Sequence, residues 1–128
     1  MAIKEIAFTG YPVTDMPRSR RFFEQVLGLT MSRQWGESDA PTWVEYDIGG
    51  GCLAIITGAD LEWPPANGGP SAALEVDNLQ EYVTKLKTTG VKFLWEPQES
   101  KMCWMAVVLD PDENRLVIHQ RKTNDVQH

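Results

Sequence analysis

A chain of 128 residues has room for one ordinary domain, or two small half-domains that share a core, and none for a separate cofactor domain. With 42% hydrophobic and 23% charged residues its composition is globular, so a packed core is expected. The net charge of −6 comes from 18 acidic against 12 basic residues with no basic run, which argues against nucleic acid and anionic membrane surfaces as partners.

The segment Met1-Ala2-Ile3-Lys4-Glu5 carries charge where a signal peptide needs an apolar run, and no stretch of about 18 apolar residues occurs, so a cytoplasmic protein is expected. Residues Ile3 to Phe8 read as a short strand, and Gly10-Tyr11-Pro12 as a turn. Asp15 and Pro17 then open a helix in which Phe22, Phe23, Val26 and Leu27 recur at helical spacing, and Gly28 ends it. Three strands follow, around Met31 to Trp35, Trp43 to Ile48 and Cys52 to Thr57, with Gly49-Gly50-Gly51 turning between the last two. Gly58 to Pro70 is rich in Pro and Gly and reads as an exposed linker.

The same order then returns. Ala72 to Val76 reads as a strand, and Asn78 caps a helix with Glu81 in capping-box spacing and Tyr82, Val83 and Leu86 on its apolar face. Gly90 closes that helix, and Val91 to Trp95, Trp104 to Leu109 and Arg115 to His119 are three more strands. Phe8 maps onto Ser71, Asp15 onto Asn78 and Ala54 onto Val117, a constant offset of about 63 residues. The chain is therefore read as one domain over 1–122 made of two βαβββ repeats, 1–57 and 71–122, with a polar tail over 123–128. Cys52 and Cys103 are far apart in sequence and outside any C-x-x-C pair, so buried free thiols are expected.

The run from Val13 to Phe23 (VTDMPRSRRFF), closing on Val26-Leu27-Gly28-Leu29, resembles the first β-α segment of the vicinal oxygen chelate superfamily, which includes glyoxalases, bleomycin-resistance proteins and extradiol dioxygenases. Asp110-Pro111-Asp112-Glu113-Asn114-Arg115-Leu116 resembles that family's last hairpin turn, with Glu113 where the family usually has Gly. The resemblance spans Ile3 to Gln120. It implies an α+β fold in which two tandem βαβββ units curl mixed sheets around a cleft, with the helices outside. It also implies pairing of units within or between chains, and hence a homodimer.

Period-two alternation then sorts the strand side chains. Val44, Tyr46, Ile48, Leu53, Ile55, Leu74, Val76, Leu116 and Ile118 are expected against the helices. The expected cleft set is Phe8, Trp43, Glu45, Ala54, Ser71, Glu75, Arg115, Val117 and His119, joined by Trp104 from a strand whose register the sequence leaves open. The four inward positions that bind metal in metal-dependent relatives map onto Phe8, Ala54, Ser71 and Val117, which offer one weak hydroxyl among carbon side chains. No metal or other cofactor is expected on that ground.

Two functions stay open. In the first, the chain binds a planar or cationic small molecule, without turnover, in an aromatic cleft made acidic by Glu45, Asp47 and Glu75, with Arg115 as the inward cation. In the second it is an enzyme of lyase, isomerase or dioxygenase type, metal-free or with a relocated metal, in which His119 and a carboxylate, Glu75 or Glu45, act as acid and base. The plainer alternatives are a His119 that only pairs with an acid at a strand end, and tryptophans that serve core packing or an interface. Trp63, in the linker, is expected to clamp the surface, and His128 has no expected role.

Overall fold

A computed structural model describes residues 4–58, 65 and 70–122; Trp63, His128, most of the linker and the 123–128 tail lie outside the described residues. The chain divides into two compact units, Met1–Ala66 and Asn67–His128. The first contains β1 (Thr9–Pro12), α1 (Met16–Arg20), β2 (Arg33–Glu37), β3 (Ala40–Ile48) and β4 (Gly51–Ile56). The second contains β5 (Ala72–Glu75), α2 (Leu79–Lys87), β6 (Lys92–Glu99), β7 (Cys103–Leu109) and β8 (Arg115–Arg121). Strand order is β1-β4-β3-β2 in one sheet and β5-β8-β7-β6 in the other, so the repeat read from the sequence is a repeat of topology. Each sheet is mixed: the first strand runs parallel to the last strand of its unit and the other pairs are antiparallel.

The first strand is displaced from its expected place. Ile3 to Phe8 reads as a strand, but the ladder forms over Thr9–Pro12, where Gly10 pairs with Ala54 and Pro12 with Ile56. Gly10-Tyr11-Pro12 is therefore strand, not turn. Proline is tolerated because β1 is an edge strand with a neighbour on one side only. The amide after it resumes the bonding, Val13 N donating to the Ile56 carbonyl at 2.8 Å.

Both helices start as expected. The Asp15 side chain accepts from Arg18 N at 3.1 Å, and the Asn78 side chain accepts from Glu81 N at 3.0 Å. The first helix does not stay α-helical: from Arg21 to Val26 it widens to a π-helix, and Leu27 N reaches back to the Phe22 carbonyl at 2.9 Å. Within it the consecutive Phe22 and Phe23 are both buried. Phe23 stacks on Tyr46 at 6.0 Å and tilts against Tyr11 at 6.3 Å, which locks the helix onto β3 and β1. Tyr46 is fully buried yet satisfied, its hydroxyl donating to Glu24 Oε2 at 2.9 Å while Arg20 holds the same carboxylate at 2.7 Å. Burial, reinforced by Glu24, pushes the Tyr46 hydroxyl pKa upward, so it remains a donor.

The expected helix-facing set holds in its central members. Val44, Tyr46, Leu53, Ile55, Leu116 and Ile118 are all at most 2% exposed, while Ile48, Leu74 and Val76, near strand ends, are half-buried. The cysteines are free but only half-buried, which corrects the expectation of a buried pair of thiols. The β3–β4 turn is tighter than three glycines suggest: Ile48 pairs with Gly51, leaving Gly49-Gly50 as the loop, with Gly49 at φ 56°.

Candidate functional site

With the helix on one face of each sheet, the candidate side chains project from the opposite face, and each unit carries its own set. In the first unit the ladder sets Arg33 opposite Glu45, Glu45 opposite Ala54, Trp35 opposite Trp43, and Asp47 opposite Cys52. Trp43, Glu45 and Ala54 therefore share the face expected of them. Trp35 and Arg33 share it too, and neither was assigned there from the sequence. Both lie within the strand read around Met31 to Trp35, but only its pairing with β3 fixes which face each residue takes.

These residues form an aromatic corner with a charged side. Trp35, half exposed, meets Trp43 edge to face at 6.5 Å and 89°. Phe8, just before β1, meets the same indole at 5.3 Å and 74°. Trp35, Thr42, Trp43 and Glu45 line a depression of about 360 Å³. The Trp43 indole N–H donates to Glu45 Oε2 at 2.9 Å, so its one polar group is satisfied. Ala54, fully buried, floors this face without a polar atom of its own.

The acids here are not free, and the cation that meets them is Arg33, where the sequence had offered Arg115. Arg33 Nε donates to Glu45 Oε1 at 2.8 Å, and its two terminal nitrogens take both oxygens of Asp47. Burial works against the charged form of Glu45, but Arg33 and the Trp43 N–H outweigh it and hold the carboxyl below the usual range. The Arg33 bonds hold Asp47 low as well. Three charged groups thus leave one net negative charge beside the aromatic corner. Burial and the neighbouring Glu45 push the Cys52 thiol up, so it is not an activated nucleophile.

In the second unit His119 lies opposite Glu75 and Met105, and Val117 opposite Ala73 and Val107. His119 Nδ1 is 2.6 Å from Glu75 Oε1, and Arg121 N donates to the other Glu75 oxygen at 2.7 Å. Burial opposes ionisation of Glu75, but these bonds together keep its carboxyl below the ordinary value. A carboxylate only accepts, so His119 presents Nδ1–H to it. The expected pairing of His119 with an acid is therefore present, and Glu75 is the partner. Val117 and Arg115 are half-buried, and Ser71 is exposed just before β5.

Trp104 is not on this face. It pairs with Gln120, in alternation with Met105 opposite His119, which puts it on the side of Ala106 and Ile118, where Lys122 Nζ lies 5.3 Å from its ring centre. Trp95, paired with Val107 and half exposed, takes the place in this face that the sequence had given to Trp104. Register shifts on both sides of Trp95 in β6 explain why simple alternation did not find it. Among the described residues no three His, Cys, Asp or Glu side chains come together as a metal-binding group. No described helix is long and apolar enough to cross a membrane.

The glyoxalase/bleomycin resistance protein/dioxygenase superfamily model matches residues 5–118. Among solved structures, TnmS3, an antibiotic-binding protein from Streptomyces sp. CB03234, superposes with a TM-score of 0.76 at 19% identity, over 95% of this chain and 99% of that one. TioX from Micromonospora sp. ML1 gives 0.74 at 14% identity over 91% and 98%. A glyoxalase family protein from Enterococcus faecalis gives 0.70 at 20% identity over 93% and 99%. At these identities the likeness is one of fold. No curated protein matches the chain.

Proposed function

The chain belongs to the glyoxalase/bleomycin resistance protein/dioxygenase superfamily, and from that premise we propose that it is a small-molecule binding protein that holds a planar, neutral or singly cationic ligand without converting it. The observation that carries this reading is the aromatic corner: Trp35 stands half exposed and perpendicular to Trp43, whose N–H is already bonded to Glu45. A flat ligand stacks on one ring and meets the other edge-on, and the single net negative charge beside them favours a cation over an anion. The antibiotic-binding relative supports small-molecule binding as the kind of task.

The binding reading also rests on donor chemistry. The positions that match the family's metal ligands hold Phe8, Ala54, Ser71 and Val117, whose side chains supply one hydroxyl, and a divalent ion needs at least three nitrogen or oxygen donors. That set does not fit a metal. The protein is further proposed to act as one domain of two repeats, as a homodimer and in the cytoplasm. Light scattering that finds only single chains at micromolar concentration removes the dimer.

Tryptophan fluorescence titrated with planar cations and planar neutral compounds tests the main reading. Trp43→Ala should weaken any quenching ligand about tenfold or more while unfolding stays cooperative. Absence of quenching by every compound, or a near-stoichiometric Zn, Ni, Mn or Fe content in the purified protein, overturns it. The second reading, catalysis, is favoured by one observation, the 2.6 Å contact of His119 with Glu75. It predicts turnover that His119→Gln abolishes while leaving ligand quenching at Trp43 intact.

A further inference from the structure

Arg33 stands at the start of β2, directly across the ladder from Glu45. Its Nε donates to Glu45 Oε1 at 2.8 Å, while Nη1 and Nη2 take the two oxygens of Asp47. Only a planar fork of donors serves two carboxylates in this way, since an ammonium offers a point charge without that geometry. The second oxygen of Glu45 accepts the Trp43 indole N–H at 2.9 Å. A continuous chain of bonds thus runs from Asp47 through Arg33 and Glu45 to the indole.

The consequence is conformational. An indole has one polar atom, and fixing it fixes the ring about its terminal torsion, which is otherwise broad. The Glu45 side chain is only 13% exposed, so without Arg33 it would be a poorly solvated carboxylate among aromatic rings. It would turn to water or take up a proton, and Trp43 would lose the acceptor that holds it perpendicular to Trp35.

We propose that Arg33 is the positioning residue of the aromatic corner, holding Glu45 so that Glu45 in turn sets the ring of Trp43 on which a flat ligand stacks. This rests on the reading of that corner as a binding surface. The alternative role, a purely electrostatic one, makes the opposite prediction. Removing Arg33 takes the cluster from one net negative charge to two, which by itself strengthens binding of a planar cation and leaves a planar neutral compound unchanged.

The test uses 9-aminoacridine as the planar cation and acridone as the neutral counterpart, with Arg33→Ala and Arg33→Lys. Positioning predicts that both probes weaken about tenfold or more in Arg33→Ala and that Arg33→Lys, which keeps the charge but not the fork, fails to restore them. Tighter binding of the cation with unchanged binding of acridone in Arg33→Ala, or full binding in Arg33→Lys, overturns the proposal. A ligand-free measurement separates it from the binding reading. The Trp43 indole N–H, identified in a nitrogen-15 spectrum by its loss in Trp43→Phe, should be protected from exchange in the wild type and lose protection in both Arg33 variants. If neither probe binds the wild type, the binding reading fails, and the indole signal still decides whether Arg33 positions Trp43. Retained protection in Arg33→Lys, which conserves the charge and so guards against misfolding as an explanation, overturns it.

Discussion

Glu113 is the one non-glycine among the described residues with a positive φ, at 67°. Its turn is otherwise well bonded. Asp110 Oδ1 accepts from Asp112 N at 2.9 Å and Asn114 N at 2.7 Å, Asn114 Nδ2 donates to Asp110 Oδ2 at 2.9 Å, and Glu113 N donates to the Asp110 carbonyl at 2.9 Å. Asp110 and Asn114 are buried, so this network holds the chain in the left-handed region even though a β-carbon resists it. The side chain of Glu113 is exposed and contributes nothing visible to the turn. Glu113→Gly should therefore raise stability by about 1 kcal/mol, the strain relieved less the extra freedom glycine has when unfolded. Chemical denaturation measures it, and an unchanged or lowered midpoint would show that the turn has adapted to glutamate. The sequence already marked this position, because the resemblance placed a glycine there.

At the level of elements, the order of strands and helices was legible because it occurs twice. The caps were legible because Asp15 and Asn78 each precede a helix by one residue. Asn78→Ala should cost about 1 kcal/mol, since Glu81 N then loses its acceptor, whereas Asn78→Asp should cost little. Equal losses in both variants, measured by thermal unfolding, would mean that Asn78 stabilises the helix by something other than accepting from Glu81 N. What the sequence did not reveal were features set by pairing. β1 forms where it can lie beside β4, over Thr9–Pro12 rather than over Ile3 to Phe8. The π-helical stretch carries Phe23 against Tyr11 and Tyr46, partners that lie on two other elements and are invisible to a local reading. Trp95 reaches its face because β6 slips register against β7, which leaves no mark on a period-two reading, whereas Trp104 is turned away by the regular pairing of β7 with β8. Arg33 escaped notice for the same reason: its importance lies in the residue across the ladder, twelve positions away in the chain.

Across the whole molecule the acids divide by environment, and stability should follow pH accordingly. Glu45 and Asp47 in the first unit and Glu75 in the second are held below their ordinary values, near 4.5 for glutamate and 3.8 for aspartate. A group whose folded pKa is lowered contributes stability that is fully present above its unfolded pKa and lost as pH falls through the folded one. Asp110 works in the opposite sense, because burial raises its pKa despite the bonds from Asn114 and Asp112, so folding disfavours its charge and this penalty is relieved as pH falls. Three groups against one give a protein whose urea midpoint at about pH 3.5 lies below that at pH 7. Asp47 and Glu75 are the more exposed of the three, so their part of the effect is screened and should shrink in 1 M salt. Glu75→Gln isolates one contribution. It removes the ionisable partner of His119 and of the Arg121 amide, so the midpoint of this variant should fall less between pH 7 and 3.5 than that of the wild type. A pH dependence identical to wild type would show that the contacts of Glu75 with His119 and Arg121 do not persist in solution, and it would remove the geometric support for a catalytic role of His119 while leaving the aromatic corner of the first unit untouched.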